Sequence, residues 1–321
     1  MKELIKKFTR ITGRTSDFLV LATFLAFIIA VGGGYLGEII NGLPFMQSLG
    51  LLIAKGNEEI SAFLLRYCSN IGVWIVCILI FLISYNRPMM ERLYPNQIGN
   101  NLKGLLIGFL MGFVSNAICV LISVLKHDIR LSFAGFDPLL FICFMLAVLI
   151  QSSGEELVMR LYLYQKLRRR YTNVIFIIIA VSFVFMFMHA GNPGFTIVAG
   201  SQIFLSSVIG CLLVYYYDSI WMAFTHHMAW NFTQSIIFGL PNSGKVSAYS
   251  LFALDEASAR NGLLYNVDFG VEGSIGSSLV LLVMVFVIIY INRGKTERND
   301  IWADLERAQL LKAEQNGNDA V

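Results

Sequence analysis

Glu155, Glu156 and Arg160 stand in one apolar stretch of the chain, His189 ends a second, and His227 and Asn231 share a third. A glutamate beside an imidazole suits a general base acting on water, because the carboxylate takes a proton while a ring nitrogen positions the water or shuttles that proton. A second imidazole with a carboxamide supplies hydrogen-bond donors for the oxyanion that forms when water adds to a carbonyl. No serine or cysteine stands at a spacing that suggests a nucleophile. These residue types point to direct attack of water on an amide. Two histidines and a glutamate could also hold Zn²⁺ with water in the fourth position, which makes Glu155, His189 and His227 an alternative ligand set. The helical HExxH spacing is missing, however, and the three ligands would come from three separate helices. A metal-free glutamate mechanism that needs no cofactor therefore ranks ahead.

Spacing decides which of these groups can act together. Adjacent glutamates on a helix point about 100° apart, so Glu155 and Glu156 cannot serve one point equally. Glu156 and Arg160 are spaced i, i+4 and can pair on one face, which leaves Glu155 to turn toward a cavity. His227 and Asn231 are also i, i+4, whereas His226 is rotated about 100° away, over Trp230. Each feature has a plainer reading: a salt bridge that locks helices, a hydrogen-bonded histidine at a helix end, an interhelical polar pair.

The elements that carry these residues are membrane helices. The chain is 56% apolar and 14% charged, with a mean hydropathy of +0.67, against about a quarter charged in ordinary soluble domains. Charges cluster between apolar runs long enough for a helix to cross about 30 Å of hydrocarbon. The pattern predicts eight spans, at 18–41, 70–85, 104–125, 138–165, 174–190, 196–217, 219–240 and 273–292. Irregular backbone cannot face lipid, so the expected fold is all-α, a polytopic transmembrane helix bundle embedded in the lipid bilayer of the cell membrane. The first apolar stretch reads as an uncleaved helix rather than a signal peptide. With the N-terminus inside, 15 basic residues fall on the cytoplasmic side and 6 on the other, the bias of the positive-inside rule. Both termini are then cytoplasmic. The net charge of +3 reports topology, and no nucleic-acid partner is expected. Residues 1–292 read as one transmembrane domain with connections at 43–66 and 241–272 on the outer side. Residues 293–321 read as a charged cytoplasmic tail, mobile and without chemistry, in which Asn299 or Asp300 caps a short helix. The five cysteines form no CxxC pair and read as small apolar residues. Gly239 to Lys245 imitates a phosphate loop, but Val246 stands where Ser or Thr should be.

Depth joins the three polar sets. Counted at about 1.5 Å per residue from Arg170, Thr172 and Asp218, Glu155 lies about 22 Å deep, His189 about 25 Å, His227 about 14 Å and Asn231 about 20 Å. Three clusters on three helices thus share one mid-membrane slab. A transporter reading would call for inverted repeats and paired broken helices, and neither is visible.

The motifs also carry a resemblance. Glu155-Glu156-Leu-Val-Met-Arg160 matches the EExxxR motif of the CAAX-protease and bacteriocin-processing (CPBP, or Abi) family of intramembrane proteases, which includes the type II CAAX prenyl endopeptidases. Phe185-Met-Phe-Met-His189 resembles its FxxxH motif, and His227-Met-Ala-Trp-Asn231 its HxxxN motif, with Trp221 at the usual place before it. Together they cover about residues 138–240. The resemblance implies that Glu155 activates water with His189, that His227 and Asn231 form the oxyanion site, and that Glu156 with Arg160 and Phe185 give structural support. It implies an endopeptidase acting on a membrane protein, lipidated protein or peptide. The family has been described both as metalloproteases and as glutamate proteases, so the resemblance leaves Zn²⁺ open. Its bacterial members suggest the alternative, a non-enzymatic scaffold or bacteriocin self-immunity protein that keeps the fold.

Overall fold

The computed structural model describes residues 8–96, 98–295 and 300–318. Helix α1 (Leu19–Asn41) is followed by the short α2 (Pro44–Ile53), and then by α3 (Glu58–Cys68) and α4 (Ile71–Leu82). Next come α5 (Leu102–Leu125), α6 (Pro138–Arg170), α7 (Val174–Met188), α8 (Ile197–Tyr217) and α9 (Ile220–Phe232), whose end continues as a wide turn through Ile237. Helix α10 (Ile275–Ile291) precedes the tail helix α11 (Ile301–Asn318). Strands β1 (Leu131–Phe133) and β2 (Phe252–Leu254) pair antiparallel, joining the α5–α6 connection to the outer connection 241–272.

Helix starts follow the local sequence. Asp137 accepts hydrogen bonds from the backbone N–H groups of Leu139 and Leu140, with Pro138 at the first helical position, where its missing donor costs nothing. Asn101, Thr196 and Ser219 cap α5, α8 and α9 in the same manner. Helix α7 stops at His189, where Gly191, Pro193 and Gly194 follow, as the sequence predicts.

Among the described residues, five helical segments are long and apolar enough to cross a membrane: 19–41, 58–82, 102–125, 138–170 and 197–217. Helices α2, α7 and α10 are apolar but shorter. Outward side chains across the bundle, such as Phe24, Leu79, Leu106, Ile142 and Phe286, are exposed, as expected where lipid is the solvent. The protein is a multi-pass all-helical membrane bundle.

Several expected boundaries are corrected. The connection 43–66 is largely helical, because Asn57 caps α3 and its apolar face packs on α6. The expected span 70–85 is the second half of a longer apolar segment, 58–82, bent at Ser69–Asn70. The fourth span continues past 165 to Arg170 because its basic end is buried, not solvated. Arg169 donates two 2.6 Å hydrogen bonds to Asp17, and Lys166 lies 3.2 Å from the same carboxylate. The described start of the tail, at Asp300 to Glu306, is docked on the bundle. Trp302 is 3% exposed and donates to Gln165, while Asp300 pairs with Arg10 and Arg168. Asp300 caps α11, and Asn299 lies outside the described residues.

Close helix contact places α9. A Cβ on Gly112 of α5 would sit 2.1 Å from the His226 carbonyl oxygen, and one on Gly108 would sit 2.4 Å from that of Met222. Small residues let two backbones approach where no hydrophobic effect drives helices together.

Candidate active site

Glu155 and Glu156 lie near the middle of α6, and the backbone widens into a π-helical turn over Leu157–Leu163 directly after them. Helix α9 does the same over Thr233–Ile237, just after Asn231. Such turns re-aim side chains and recur at functional sites. Neither is visible in the residue pattern.

Glu156 faces inward and is 2% exposed; Arg160, one turn on, is 1% exposed and 3.0 Å away. The guanidinium lies 4.8 Å from the centre of the Phe185 ring and donates to the Ser207 carbonyl. It fits because Gly210 on α8 has no side chain, as a Cβ there would be 2.7 Å from Arg160 Nε. The other Glu156 oxygen accepts from His227 Nδ1 at 2.9 Å. His189 Nδ1 donates to the Phe185 carbonyl at 2.8 Å, with the two rings 4.5 Å apart. Carboxylate and carbonyl oxygens can only accept, so both histidines carry hydrogen on Nδ1. Their Nε2 atoms then face Glu155: His189 Nε2 is 3.8 Å from Glu155 Oε2 and His227 Nε2 is 3.9 Å from the same oxygen. That oxygen is buried without a hydrogen-bond partner among the described residues. Three groups on three helices therefore point at one spot.

Asn231 belongs to the same enclosure. Its Nδ2 donates to Gln151 Oε1 at 3.2 Å and more weakly to Ser152 Oγ at 3.4 Å. Gln151 in turn donates to Glu155 Oε1, and Asn242 donates to Asn231 Oδ1 at 3.2 Å. Glu155, His189, His227 and Asn231 all line a cavity of about 380 Å³. His226 points elsewhere, into the bundle.

Three participants escape the sequence reading. Gln151 is detectable in principle, being polar, inside an apolar span and one turn before Glu155. Asn242 and Glu272 come from the outer connection and carry no local signal. Glu272 accepts from Trp230 Nε1 at 3.2 Å and from the Ser243 backbone N–H at 2.7 Å. Burial pushes its carboxyl up from the ordinary range against those bonds. The loop that imitates a phosphate site is therefore a cavity wall. It brings in Lys245, whose ammonium is lowered by burial and then by the nearby Arg66.

Among the described residues, no three His, Cys, Asp or Glu side chains form a metal-holding group. The 3.8 and 3.9 Å separations exceed the roughly 3.3 Å ligand-to-ligand edge of a tetrahedral zinc site with bonds of about 2.0–2.1 Å. As arranged, the two imidazoles stand wider of Glu155 than such a site requires, and no step below passes through a metal.

No curated protein matches the chain. Residues 137–233, the stretch that carries Glu155, Glu156, Arg160, Phe185, His189, His227 and Asn231, match the family model described as type II CAAX prenyl endopeptidase Rce1-like, so over that stretch the chain is similar to these membrane peptidases, consistent with the CAAX-protease and bacteriocin-processing family.

Proposed function

We propose that this protein is an intramembrane endopeptidase in which Glu155 activates water to hydrolyse a peptide bond of a membrane-bound polypeptide. The observation that carries the reading is the convergence of His189 Nε2 and His227 Nε2 on Glu155 Oε2, at 3.8 and 3.9 Å, inside a cavity. A water there gives one proton to Glu155 and is oriented by the bare Nε2 of His189. Its oxygen bonds to the carbonyl carbon of the substrate. Asn231 Nδ2 exchanges its long contact with Ser152 for the developing oxyanion. In its doubly protonated form His227 keeps donating its Nδ1–H to Glu156 and donates its Nε2–H to the same oxyanion. Glu155 then passes its proton to the leaving nitrogen as the C–N bond breaks, acting first as base and then as acid. Glu156, Arg160 and Phe185 hold the two imidazoles and touch no reacting atom.

A membrane-bound substrate fits the surroundings. Met188 lines the polar cavity and also an apolar groove of about 820 Å³ between α1 and α7, a lateral route for an apolar segment. Eight spans with both termini in the cytoplasm remain part of this reading, supported by the placement of basic residues. The test is cleavage of membrane-anchored candidate peptides by purified protein in detergent or nanodiscs. Glu155→Ala and His189→Ala should each abolish detectable turnover; wild-type rates in either would end the proposal and favour a scaffold.

A further inference from the structure

The direction in which the cavity opens is set by the helix ends. Helix α1 begins beside Asp17, within the Arg169–Lys166 cluster, and reaches the cavity with Glu38 near its other end. Helix α6 runs the opposite way, from Asp137 past Gln151 and Glu155 to Arg169. Helix α7 starts next to that basic end and presents His189 from its far end. The mouth, lined by Glu38, Arg66, Asn192, Ser243 and Lys245, thus lies on the face away from the Arg169 cluster. Basic residues concentrate at the cluster end, with Arg10, Arg92, Arg168 and Arg293 among them. The positive-inside rule assigns that end to the cytoplasm.

Charge at the mouth narrows the ligand. Arg66 on α3 and Lys245 on the outer loop line the same cavity as Glu155. Among the described residues neither forms an ion pair, whereas Arg92, Arg160, Lys166 and Arg169 are each matched to a carboxylate. Glu38 lines the mouth without pairing with either cation. The carboxylates of Glu38, Glu155 and Glu272 line the same cavity, but none stands at ion-pair distance from Arg66 or Lys245. The two like charges therefore keep room for a directly bonded anion between them, and a guanidinium fork suits a carboxylate.

We propose that the cavity takes polypeptide from the non-cytoplasmic side, and that Arg66 and Lys245 hold a carboxylate of that polypeptide beside Glu155. The identity of the bound chain as a cleaved substrate rests on the peptidase reading; the sidedness and the anion site do not need turnover. Sidedness is tested in a chain whose five cysteines are replaced by alanine, with Val246→Cys beside Lys245 or Gly294→Cys at the basic end. A membrane-impermeant maleimide on intact cells should label position 246 directly and position 294 only after permeabilisation. The reverse pattern overturns the proposal.

The anion site is tested with E155Q protein in phosphatidylcholine nanodiscs and fluorescein-labelled leucine–alanine peptides ending in a free carboxylate or a carboxamide. The carboxylate peptide should bind about tenfold tighter. That preference should vanish in R66Q/K245Q and persist in the charge-keeping pair R66K/K245R. Equal binding of both peptides, or a preference that survives R66Q/K245Q, overturns the assignment. So does an affinity that follows added phosphatidylglycerol instead of the peptide terminus, since the cations would then serve a lipid headgroup. Full turnover by Glu155→Ala would strike only the peptidase reading and leave these readouts standing.

Discussion

Glu156 Oε1 accepts a hydrogen bond from His227 Nδ1 at 2.9 Å, and this contact turns the opposite ring nitrogen toward Glu155. Of two neighbouring glutamates, one sets the orientation of an imidazole and the other shares the cavity with it. The i, i+4 partner Arg160 holds the orienting carboxylate in place from within the core.

Replacing the orienting group should therefore lower the rate without emptying the cavity. Glu156→Gln keeps an oxygen for His227 but loses the charge opposite Arg160. We expect kcat to fall by about 10- to 100-fold, with KM within about threefold. Steady-state kinetics on purified protein decide it, and an unchanged kcat would remove Glu156 from the account.

Asn231→Ala removes the donor that the proposed mechanism assigns to the oxyanion and should cost about 10²–10³ in kcat. His226→Ala, a neighbour on the same helix that points away from the cavity, should not show this loss at equal folded protein. Equal effects of the two substitutions would mean that α9 contributes only structure.

The spacing around Glu155 leads us to expect activity without a metal. Purified protein should contain zinc well below one equivalent by elemental analysis, and its activity should survive a chelator. Activity lost in chelator and restored by Zn²⁺ would show that Glu155, His189 and His227 close on a metal.

The α5–α9 contact makes Gly112 intolerant of a side chain. Gly112→Ala places a methyl 2.1 Å from the His226 carbonyl oxygen and should destabilise by about 1–3 kcal/mol, read as a lower unfolding midpoint in detergent. Gly32→Ala, where a Cβ meets nothing within 4 Å, is the matched control and should be near neutral. If both shift the midpoint alike, backbone approach is not the cause.

At the basic end, burial alone would raise the Asp17 carboxyl, but Arg169, the Arg14 backbone N–H and Lys166 outweigh it and hold it below its ordinary 3.8. A carboxyl lowered on folding stabilises fully above its unfolded value, and that contribution is lost as pH falls through the folded one. Asp17→Asn leaves Arg169 and Lys166 unmatched and should cost about 3–5 kcal/mol at neutral pH. The gap to wild type should close only below about pH 4. A gap that stays constant down to pH 3 would contradict the pairing.

The sequence alone determined the class of fold and the short list of polar residues, because a bilayer makes every buried charge expensive and so leaves few to consider. Spacing within a helix also assigned faces, as with Glu156 and Arg160, since i, i+4 geometry is local. Tertiary structure decided what periodicity cannot encode. The bend at Ser69–Asn70, the wide turns after Glu156 and Asn231, and the docking of Trp302 depend on partners distant in the chain. Glu272, Asn242, Arg66 and Lys245 reach the cavity from connections with no hydrophobic period to place them. Their roles became legible only when α3, the outer loop and the middle of α6 were brought into one enclosure, because a side chain's chemistry is fixed by its neighbours in space.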